Sequence, residues 1–435
     1  MNERRDPIEA WLSADVELLP PPQGAFDRVH RRARHRRAMK AVTAAAGAAV
    51  IIAAGVTVPQ LSGLLKGNPT VPAKSIMTPS ASPAVRPGTL AVPGPPFSTA
   101  GGGPAPAAGF RATSVTFVGS TLGAVLGQAG SCRAGPCTAM AGTHDYGSTW
   151  TEIGAPPAGP ADGRSGVSQV RFLNQRIGWA YGPQLYATHD GGKSWRAIDT
   201  HGGRVIDLST VGRRAFAVVG FGCTGDGSRY AAGCARFRLF SAAAAGNEWD
   251  AVAGAAGAGG ATPGGLQLTS ARGYLLVGTR LYTGQAGIRP WQRVTMASSA
   301  PRCLTGQATR PRLIAPGASE LFLVCQDAGT STLTLYRSDA QGSVWQRRGV
   351  VQATGTVQSL AVTPSGTLVL ATTTGIYRSA DARTWNPARV SAPAGGFSFI
   401  GMTTDTEGVA VAATPGPAVY ITKDGGLTWR VRPIR

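Results

Sequence analysis

Short apolar runs separated by polar turns recur from about residue 108 to the C-terminus. One set of four runs lies at residues 170–174, 177–182, 184–190 and 195–199. These runs are rich in β-branched, aromatic and small residues, and their lengths are those of strands rather than helices. The same order of four runs returns at residues 205–253, 359–388 and 397–433. The hydrophobic pattern therefore predicts an all-β region built from four-stranded units.

A polar motif, S/T-x-D-x-G-x-S/T-W, joins the third run of a unit to the fourth. It is intact at residues 143–150, 188–195 and 422–429. Degenerate copies end at Trp249, Trp291, Trp345 and Trp385. Successive tryptophans of the seven copies are 45, 54, 42, 54, 40 and 44 residues apart, which is the length of a four-stranded propeller blade with its loops. The repeat predicts a seven-bladed β-propeller over residues 108–435.

The residue types of the motif suit a tight turn. An aspartate carboxylate accepts backbone N–H groups of its own turn, glycine allows positive φ, and tryptophan packs at the start of the fourth strand. A calcium loop needs further oxygen ligands that this spacing does not supply. Structural roles, without a metal, are predicted for Asp145, Gly147, Trp150, Asp190, Gly192, Trp195, Asp424, Gly426 and Trp429.

The N-terminal region has the pattern of a membrane anchor. Residues 6–19 form a short amphipathic pattern within a tail of residues 1–40, and seven cations lie between Arg28 and Lys40. Residues 41–58 carry no charge and predict a transmembrane helix, which could extend to residue 65, with the N-terminus in the cytoplasm. The alternative is an export signal, because Arg36 and Arg37 precede an apolar segment and a small-residue cleavage site near residues 53–55.

Residues 59–107 contain eleven prolines among Ala, Gly, Ser and Thr. They show no periodic apolar face, so they cannot bury a core and predict a disordered stalk. The propeller would then be held outside the cell, clear of the membrane. If the signal were cleaved, it would instead be secreted.

The chain has a net charge of +20, carried almost entirely by arginine. Such a balance suits an anionic partner, although it could also reflect nothing more than an arginine-rich composition. We expect an anionic polymer or an acidic protein surface rather than nucleic acid. A cytoplasmic protein partner is a further possibility for residues 1–40.

The repeats resemble the Asp-box (BNR) repeats of sialidase-like propellers, over residues 111–435. Residues 178–182 and Tyr186, before the second motif, resemble the non-enzymatic branch that includes photosystem II assembly factors. This resemblance implies a seven-bladed propeller. It implies less about function, because one fold hosts unrelated activities.

The enzymatic branch has further requirements that the sequence does not meet. The resemblance implies an F/Y-R-I-P motif in the first blade, but the chain has Phe110, Arg111, Ala112 and Thr113 there. Glycosidase chemistry needs two converging carboxyl groups. The acids outside the motifs are placed differently in their repeats: Glu152, Glu248, Glu320 and Glu407. The five histidines form no metal-ligand pattern. We therefore predict a protein without catalysis, metal or cofactor.

All six cysteines follow the predicted anchor and fall in pairs within single repeats. This arrangement suits an oxidising compartment and predicts the disulfides Cys132–Cys137, Cys223–Cys234 and Cys303–Cys325. In a propeller, the loops between the second and third strands and the loops between blades emerge on one face, opposite the motif turns. The cysteines therefore predict a face of stapled loops, which either stabilise the fold or form a rigid recognition surface.

Arginines and one aromatic residue accompany the cysteines on this predicted loop face. The candidate ligand-binding residues are Arg133, Arg164, His201, Arg204, Asp226, Arg229, Tyr230 and Arg302. They suit paired hydrogen bonds and stacking with an anionic partner, although a solvated arginine rim would look the same. The predicted function is non-enzymatic recognition or scaffolding at the cell surface. The alternatives are a sialidase-like glycoside hydrolase and a transmembrane sensor.

Overall fold

The computed structural model describes residues 104–130, 137–161, 165–224, 233–258, 263–285, 290–306, 308–317, 319–327 and 332–435. Blade 1 contains β1 (Arg111–Val118), β2 (Leu122–Gln128), β3 (Thr138–Thr143) and β4 (Thr151–Ile153). Blade 2 contains β5 (Gln169–Phe172), β6 (Gly178–Tyr181), β7 (Leu185–Thr188) and β8 (Arg196–Ala197). Blade 3 contains β9 (Arg204–Val211), β10 (Arg214–Cys223), β11 (Cys234–Ala243) and β12 (Asp250–Ala258).

The remaining four blades follow in chain order. Blade 4 contains β13 (Pro263–Leu268), β14 (Arg272–Val277), β15 (Arg280–Gln285) and β16 (Gln292–Arg293). Blade 5 follows a short 3-10 helix (Arg302–Leu304) and contains β17 (Ala308–Ile314), β18 (Glu320–Asp327), β19 (Leu333–Asp339) and β20 (Trp345–Val351). Blade 6 contains β21 (Val357–Val362), β22 (Leu368–Thr372), β23 (Ile376–Ser379) and β24 (Asn386–Pro387). Blade 7 contains β25 (Phe397–Met402), β26 (Gly408–Ala412), β27 (Ala418–Thr422) and β28 (Arg430–Pro433).

Each blade is an antiparallel four-stranded sheet whose strands pair in sequence order. In blade 1, for example, Val115 lies opposite Val125, and Val125 lies opposite Ala141. The prediction of an all-β, seven-bladed propeller is confirmed. Apart from the 3-10 helix, the elements in the described ranges are strands.

The core consists of seven clusters of buried apolar side chains, one between each pair of adjacent blades. The motif tryptophan of each blade packs towards the preceding blade. Trp195 lies among side chains of blade 1, and Trp429 lies among side chains of blade 6. The decayed copies keep this contact, since Trp345 and Trp385 are buried against blades 4 and 5. Most of the hydrophobic stabilisation therefore lies between blades, where the tryptophans contribute the largest rings.

The ring closes between blades 1 and 7 without exchange of a strand, because both blades are built from consecutive segments. Val125 and Trp150 of blade 1 pack against Val411 and Ile421 of blade 7. The backbone N–H of Ala112 donates to the carbonyl oxygen of Gly416 at 2.8 Å. Closure therefore depends on side-chain packing and on a few hydrogen bonds.

The described chain begins within the predicted stalk. The carbonyl oxygen of Pro104 accepts the backbone N–H of Glu152 on β4 at 2.8 Å, so contacts to blade 1 begin before residue 108. The predicted tail (residues 1–40), the predicted anchor (residues 41–58) and the stalk up to residue 103 lie outside the described residues. Within the described ranges, no helix is long and apolar enough to cross a membrane.

Candidate functional site

The three intact motif turns share one set of hydrogen bonds. In blade 1, the Thr143 hydroxyl donates to Asp145 Oδ1 at 2.8 Å and accepts the Gly147 N–H at 2.8 Å. Asp145 also accepts the N–H and the hydroxyl of Thr149 at 2.8 and 2.7 Å. The same bonds surround Asp190 and Asp424. The glycine of each turn has positive φ, as at Gly147 (75°).

These bonds determine how the turn carboxylates titrate. Burial alone would raise the pKa of the Asp424 carboxyl, but hydrogen bonds from the Thr428 hydroxyl and N–H outweigh it and hold the pKa below 3.8. The pKa values of Asp145 and Asp190 are lowered in the same way, because hydrogen bonds within the turn outweigh the effect of burial. In the degenerate motif of blade 6, backbone N–H groups of Thr384 and Arg383 hold the pKa of Asp381 far below its usual value. The ionised carboxylates are thus occupied by their own turns.

Asp424→Asn is expected to remove acid-dependent stability. Because the folded-state pKa of Asp424 is lowered, its contribution is complete above the usual pKa of 3.8 and is lost as the pH falls through the folded-state value. We expect a loss of about 1 kcal/mol of unfolding free energy at pH 7, since solvent screens this partly exposed site. The unfolding temperatures of wild type and variant should begin to converge as the pH falls below about 4 and should meet below the folded-state pKa.

The matched control is Asp250→Asn, because Asp250 is exposed at the start of β12. This substitution should leave the unfolding temperature unchanged both at pH 7 and below about pH 4. A difference between wild type and Asp424→Asn that stays constant down to pH 2 would show that the carboxylate charge is not what the turn uses.

Two of the predicted disulfides lie at the end of their blades opposite the motif turns. Cys223 and Cys234 are the last facing pair of β10 and β11, and they are bonded with a Cα–Cα distance of 3.7 Å. Cys303, in the 3-10 helix, is bonded to Cys325 on β18. Cys137 is also disulfide-bonded, while its predicted partner Cys132 lies outside the described residues. Cys303 and Cys325 are buried in the cluster between blades 4 and 5, so this disulfide is part of the core.

Three of the predicted ligand-binding residues are described. Arg302 is exposed beside Cys303. Arg204 is the half-buried first residue of β9. His201 has φ of 54° in the turn before β9, and its Nδ1 lies 3.6 Å from Asp199 Oδ2. The others lie outside the described residues: Arg133, Arg164, Asp226, Arg229 and Tyr230.

A second candidate site is the central channel, a cavity of about 410 Å³ lined by the inner strands of blades 2 to 7. Four side chains on or beside the channel wall hydrogen-bond to the backbone of the next blade. These bonds are Val170 N–H to Ser114 Oγ (3.1 Å), Leu266 N–H to Asp207 Oδ2 (2.8 Å), Arg312 Nε to Gln358 O (3.0 Å) and Ile400 N–H to Ser359 Oγ (3.2 Å). Asp207 is the charged acceptor in this series.

The charges on the channel wall interact with one another. Burial raises the pKa of Asp207, and the Leu266 N–H together with the positive charges of Arg171 and Arg312 opposes that rise. Burial also raises the pKa of Tyr181 to about 12, and the Tyr181 hydroxyl lies 3.5 Å from the carbonyl oxygen of Leu208. Arg171 Nε is buried and has no hydrogen-bond partner within the described ranges.

The sequence interpretation did not identify these channel residues. The available signal was a charge inside an otherwise apolar inner strand, as in Val170-Arg171-Phe172 and Ile206-Asp207-Leu208. An exposed strand carries such charges freely, so the signal has meaning only once the strand is known to be innermost.

The acids that the sequence placed apart do not meet in the channel. Glu152, Glu248, Glu320 and Glu407 belong to blades 1, 3, 5 and 7, and none of them lines the channel in the described structure. Glu320 instead accepts a hydrogen bond from Arg337 Nε at 2.6 Å. The described residues contain no cluster of three or more His, Cys, Asp or Glu side chains suited to a metal ion.

No family model and no curated protein matches the chain. A solved structure described as YCF48 bound to D1 peptide is 17% identical, with coverage of 76% of this chain and 95% of that chain and a TM-score of 0.48. PorZ, a surface component of the type-IX secretion system of Porphyromonas gingivalis, is 12% identical over 76% of this chain and 39% of its own, with a TM-score of 0.49. YCF48 from Cyanidioschyzon merolae is 16% identical over 74% and 85%, with a TM-score of 0.33. At these identities the likeness concerns the fold alone.

Proposed function

We propose that this chain is a membrane-anchored propeller outside the cytoplasm that recognises an acidic partner on its loop face without catalysis. The observation that carries this proposal is the placement of the disulfides. Cys223–Cys234 and Cys303–Cys325 both hold segments at the end of their blades opposite the motif turns. Binding needs less ordering of the protein when the loops that contact the partner are already fixed.

The charge of the stapled segments supports an acidic partner. Arg302 is exposed directly beside the buried Cys303, so its guanidinium is presented from a fixed backbone. Arg229 and Tyr230 lie between Cys223 and Cys234 in the sequence. Guanidinium groups bind carboxylates through paired hydrogen bonds and are enriched in interfaces.

The glycosidase alternative has one structural observation in its favour. The channel region brings Tyr181, Asp207 and Arg171 together, and these are residue types that sialidases use. Their bonds favour a structural role, however. The Tyr181 hydroxyl is buried with its pKa raised to about 12, and Asp207 accepts a backbone N–H of the next blade. A nucleophilic phenol would need a lowered pKa or an adjacent base.

The proposal predicts that intact cells displaying the full-length chain bind fluorescent polyglutamate, and that binding weakens as salt is raised. Arg302→Glu should weaken binding several-fold, and Arg229→Glu with Tyr230→Ala should weaken it at least tenfold, because charge reversal replaces attraction by repulsion. Lys193→Glu is the matched control, since Lys193 is exposed in the motif turn of blade 2, on the opposite face. Flow cytometry measures each arm.

Three outcomes would contradict the proposal. Binding that appears only after the cells are lysed would place the propeller inside the cell. A loss of binding in Lys193→Glu but not in the loop variants would assign recognition to the motif face. Turnover of a fluorogenic sialoside by the wild type that disappears in Asp207→Asn would replace recognition by catalysis.

A further inference from the structure

The central channel is lined by both polar and apolar side chains, and Ile206 and Leu268 of blades 3 and 4 are among the apolar ones. Blades 2 to 4 contribute polar side chains that make no hydrogen bonds to protein among those described: Gln169, Ser209, Thr210 and Gln267. Blades 6 and 7 contribute the partly exposed apolar side chains Val362, Phe399 and Met402. A ligand that matches this lining offers both hydrogen-bonding groups and apolar surface.

Blades 2 and 3 place opposite charges on the channel wall. Arg171 on β5 and Asp207 on β9 lie on adjacent inner strands, and their charges interact. None of the ion pairs among the described residues joins them. Arg171 Nε remains a buried donor without a described partner, although the Arg171 guanidinium also interacts with the Tyr181 hydroxyl. Asp207 accepts the Leu266 N–H and interacts with the Leu208 N–H. A carboxylate has several acceptor sites, so Asp207 retains capacity for a cationic donor.

A guanidinium and a carboxylate that do not form an ion pair with each other are complementary to a zwitterion. The carboxylate of an α-amino acid matches the guanidinium, and its ammonium group matches the aspartate. The cavity of about 410 Å³ falls within the range of small-molecule sites and is large enough for one amino acid. The apolar side chains of blades 6 and 7 would face the amino-acid side chain. A purely anionic ligand would be repelled by Asp207, and a purely cationic one by Arg171.

We propose that the channel binds a free α-amino acid with an apolar side chain. Arg171 holds the α-carboxylate, Asp207 holds the α-ammonium group, and Phe399 and Met402 contact the side chain. This site lies on the inner strands and is separate from the loop face. Its occupant is small, so it does not compete with a macromolecular partner for the same residues.

The test uses three probes that share a phenyl ring and differ in their charged groups. L-phenylalanine carries both groups, 3-phenylpropanoate carries the carboxylate alone, and 2-phenylethylamine carries the ammonium group alone. Isothermal titration of the full-length chain in detergent should show L-phenylalanine binding at least tenfold more tightly than either analogue. A charge-assisted hydrogen bond to a protein side chain is strong enough to give this difference.

Two substitutions assign the two groups. Arg171→Gln should weaken the binding of L-phenylalanine at least tenfold and should not weaken that of 2-phenylethylamine, because it removes a charge that repels the ammonium group. Asp207→Asn keeps an oxygen that can accept the Leu266 N–H. It should weaken the binding of L-phenylalanine but not that of 3-phenylpropanoate, because it removes a charge that repels the carboxylate. Arg196→Gln is the matched control, because Arg196 is exposed on β8 of the same blade as Arg171. It should bind all three probes as the wild type does.

The three probes keep the proposal falsifiable even if a variant fails to fold. Equal affinity of wild type for L-phenylalanine and one of its analogues would overturn the zwitterion assignment. No binding of L-phenylalanine or L-leucine up to about 10 mM, far weaker than an ordinary small-molecule site, would overturn the site itself. Equal losses in Arg171→Gln and Arg196→Gln would show that net charge is responsible.

Discussion

Trp291→Ala is expected to lower the unfolding free energy by about 3–5 kcal/mol, the usual cost of removing a fully buried aromatic side chain. Trp291 is 1% exposed and lies in the cluster between blades 3 and 4. Its ring is 6.2 Å from that of Phe216, and its backbone N–H donates to Ala253 O of blade 3. Chemical denaturation followed by fluorescence of the other tryptophans would measure the loss.

Glycines of blade 4 form the slot that holds this ring. A Cβ at Gly284 would lie 2.3 Å from Trp291 Cδ1, and a Cβ at Gly273 would lie 2.5 Å from Trp291 Cη2. Gly284→Ala should therefore destabilise the protein by about 1–3 kcal/mol through overpacking. Gly317→Ala is the control, because a Cβ there meets no atom within 4 Å.

The pair of substitutions also gives a stricter test. If the slot exists to hold the ring, Gly284→Ala should cost much less in a Trp291→Ala background, since the two effects share one contact. Additive losses would show that the glycine is needed for its backbone and not for the tryptophan.

Blade 4 shows why the motif predicts the fold even where its letters have decayed. Its copy keeps only Trp291 of the intact motif's defining residues. The turn aspartate stabilises its own loop, whereas the tryptophan joins two blades. Loss of the aspartate affects one turn, whereas loss of the tryptophan would weaken the contact between two blades. The tryptophans are therefore kept in all seven copies, and their spacing can be recognised in the sequence. This is the physical reason that seven blades could be predicted from sequence.

The channel could not be predicted in the same way. Arg171 and Asp207 are distant in sequence from the motif turns, and nothing in the repeat distinguishes an inner strand that carries a charge. They can be recognised as channel residues only once the structure shows that their strands are adjacent inner strands beside the propeller axis. Similarly, sequence proximity predicted the Cys303–Cys325 pair, but its burial between blades 4 and 5 depends on how the 3-10 helix packs.

Ring closure could be traced to a residue that departs from the pattern. The intact motifs of blades 2 and 7 have Gly191 and Gly425 directly after the aspartate, both with positive φ. Blade 1 has Tyr146 there, with φ of 57°. A bulky residue in the left-handed region is unfavourable by about 1–2 kcal/mol. The contacts of its side chain must therefore stabilise the fold by more than this amount.

The Tyr146 side chain reaches from blade 1 into blade 7. It is 2% exposed, and its hydroxyl donates to Gly408 O at 3.0 Å. Its ring packs 4.9 Å from that of Phe117, and Lys423 Nζ of blade 7 lies 5.6 Å from the Tyr146 ring centroid. Tyr146 therefore links the first and last blades, which do not share or exchange a strand.

Tyr146→Ala is expected to cost about 3–4 kcal/mol of unfolding free energy, because it removes this contact and keeps the unfavourable backbone conformation. Tyr146→Phe should cost about 1 kcal/mol, since it removes the hydrogen bond from the Tyr146 hydroxyl to the Gly408 carbonyl. The control is Tyr420→Phe, at the interface of blades 6 and 7. The Tyr420 hydroxyl makes no hydrogen bond within the described residues, so this substitution should cost little.

Limited proteolysis distinguishes a role in ring closure from a role in general stability. If Tyr146 closes the ring, Tyr146→Ala should expose sites in blades 1 and 7 to cleavage before any other blade, and uniform cleavage around the ring would assign it an ordinary packing role.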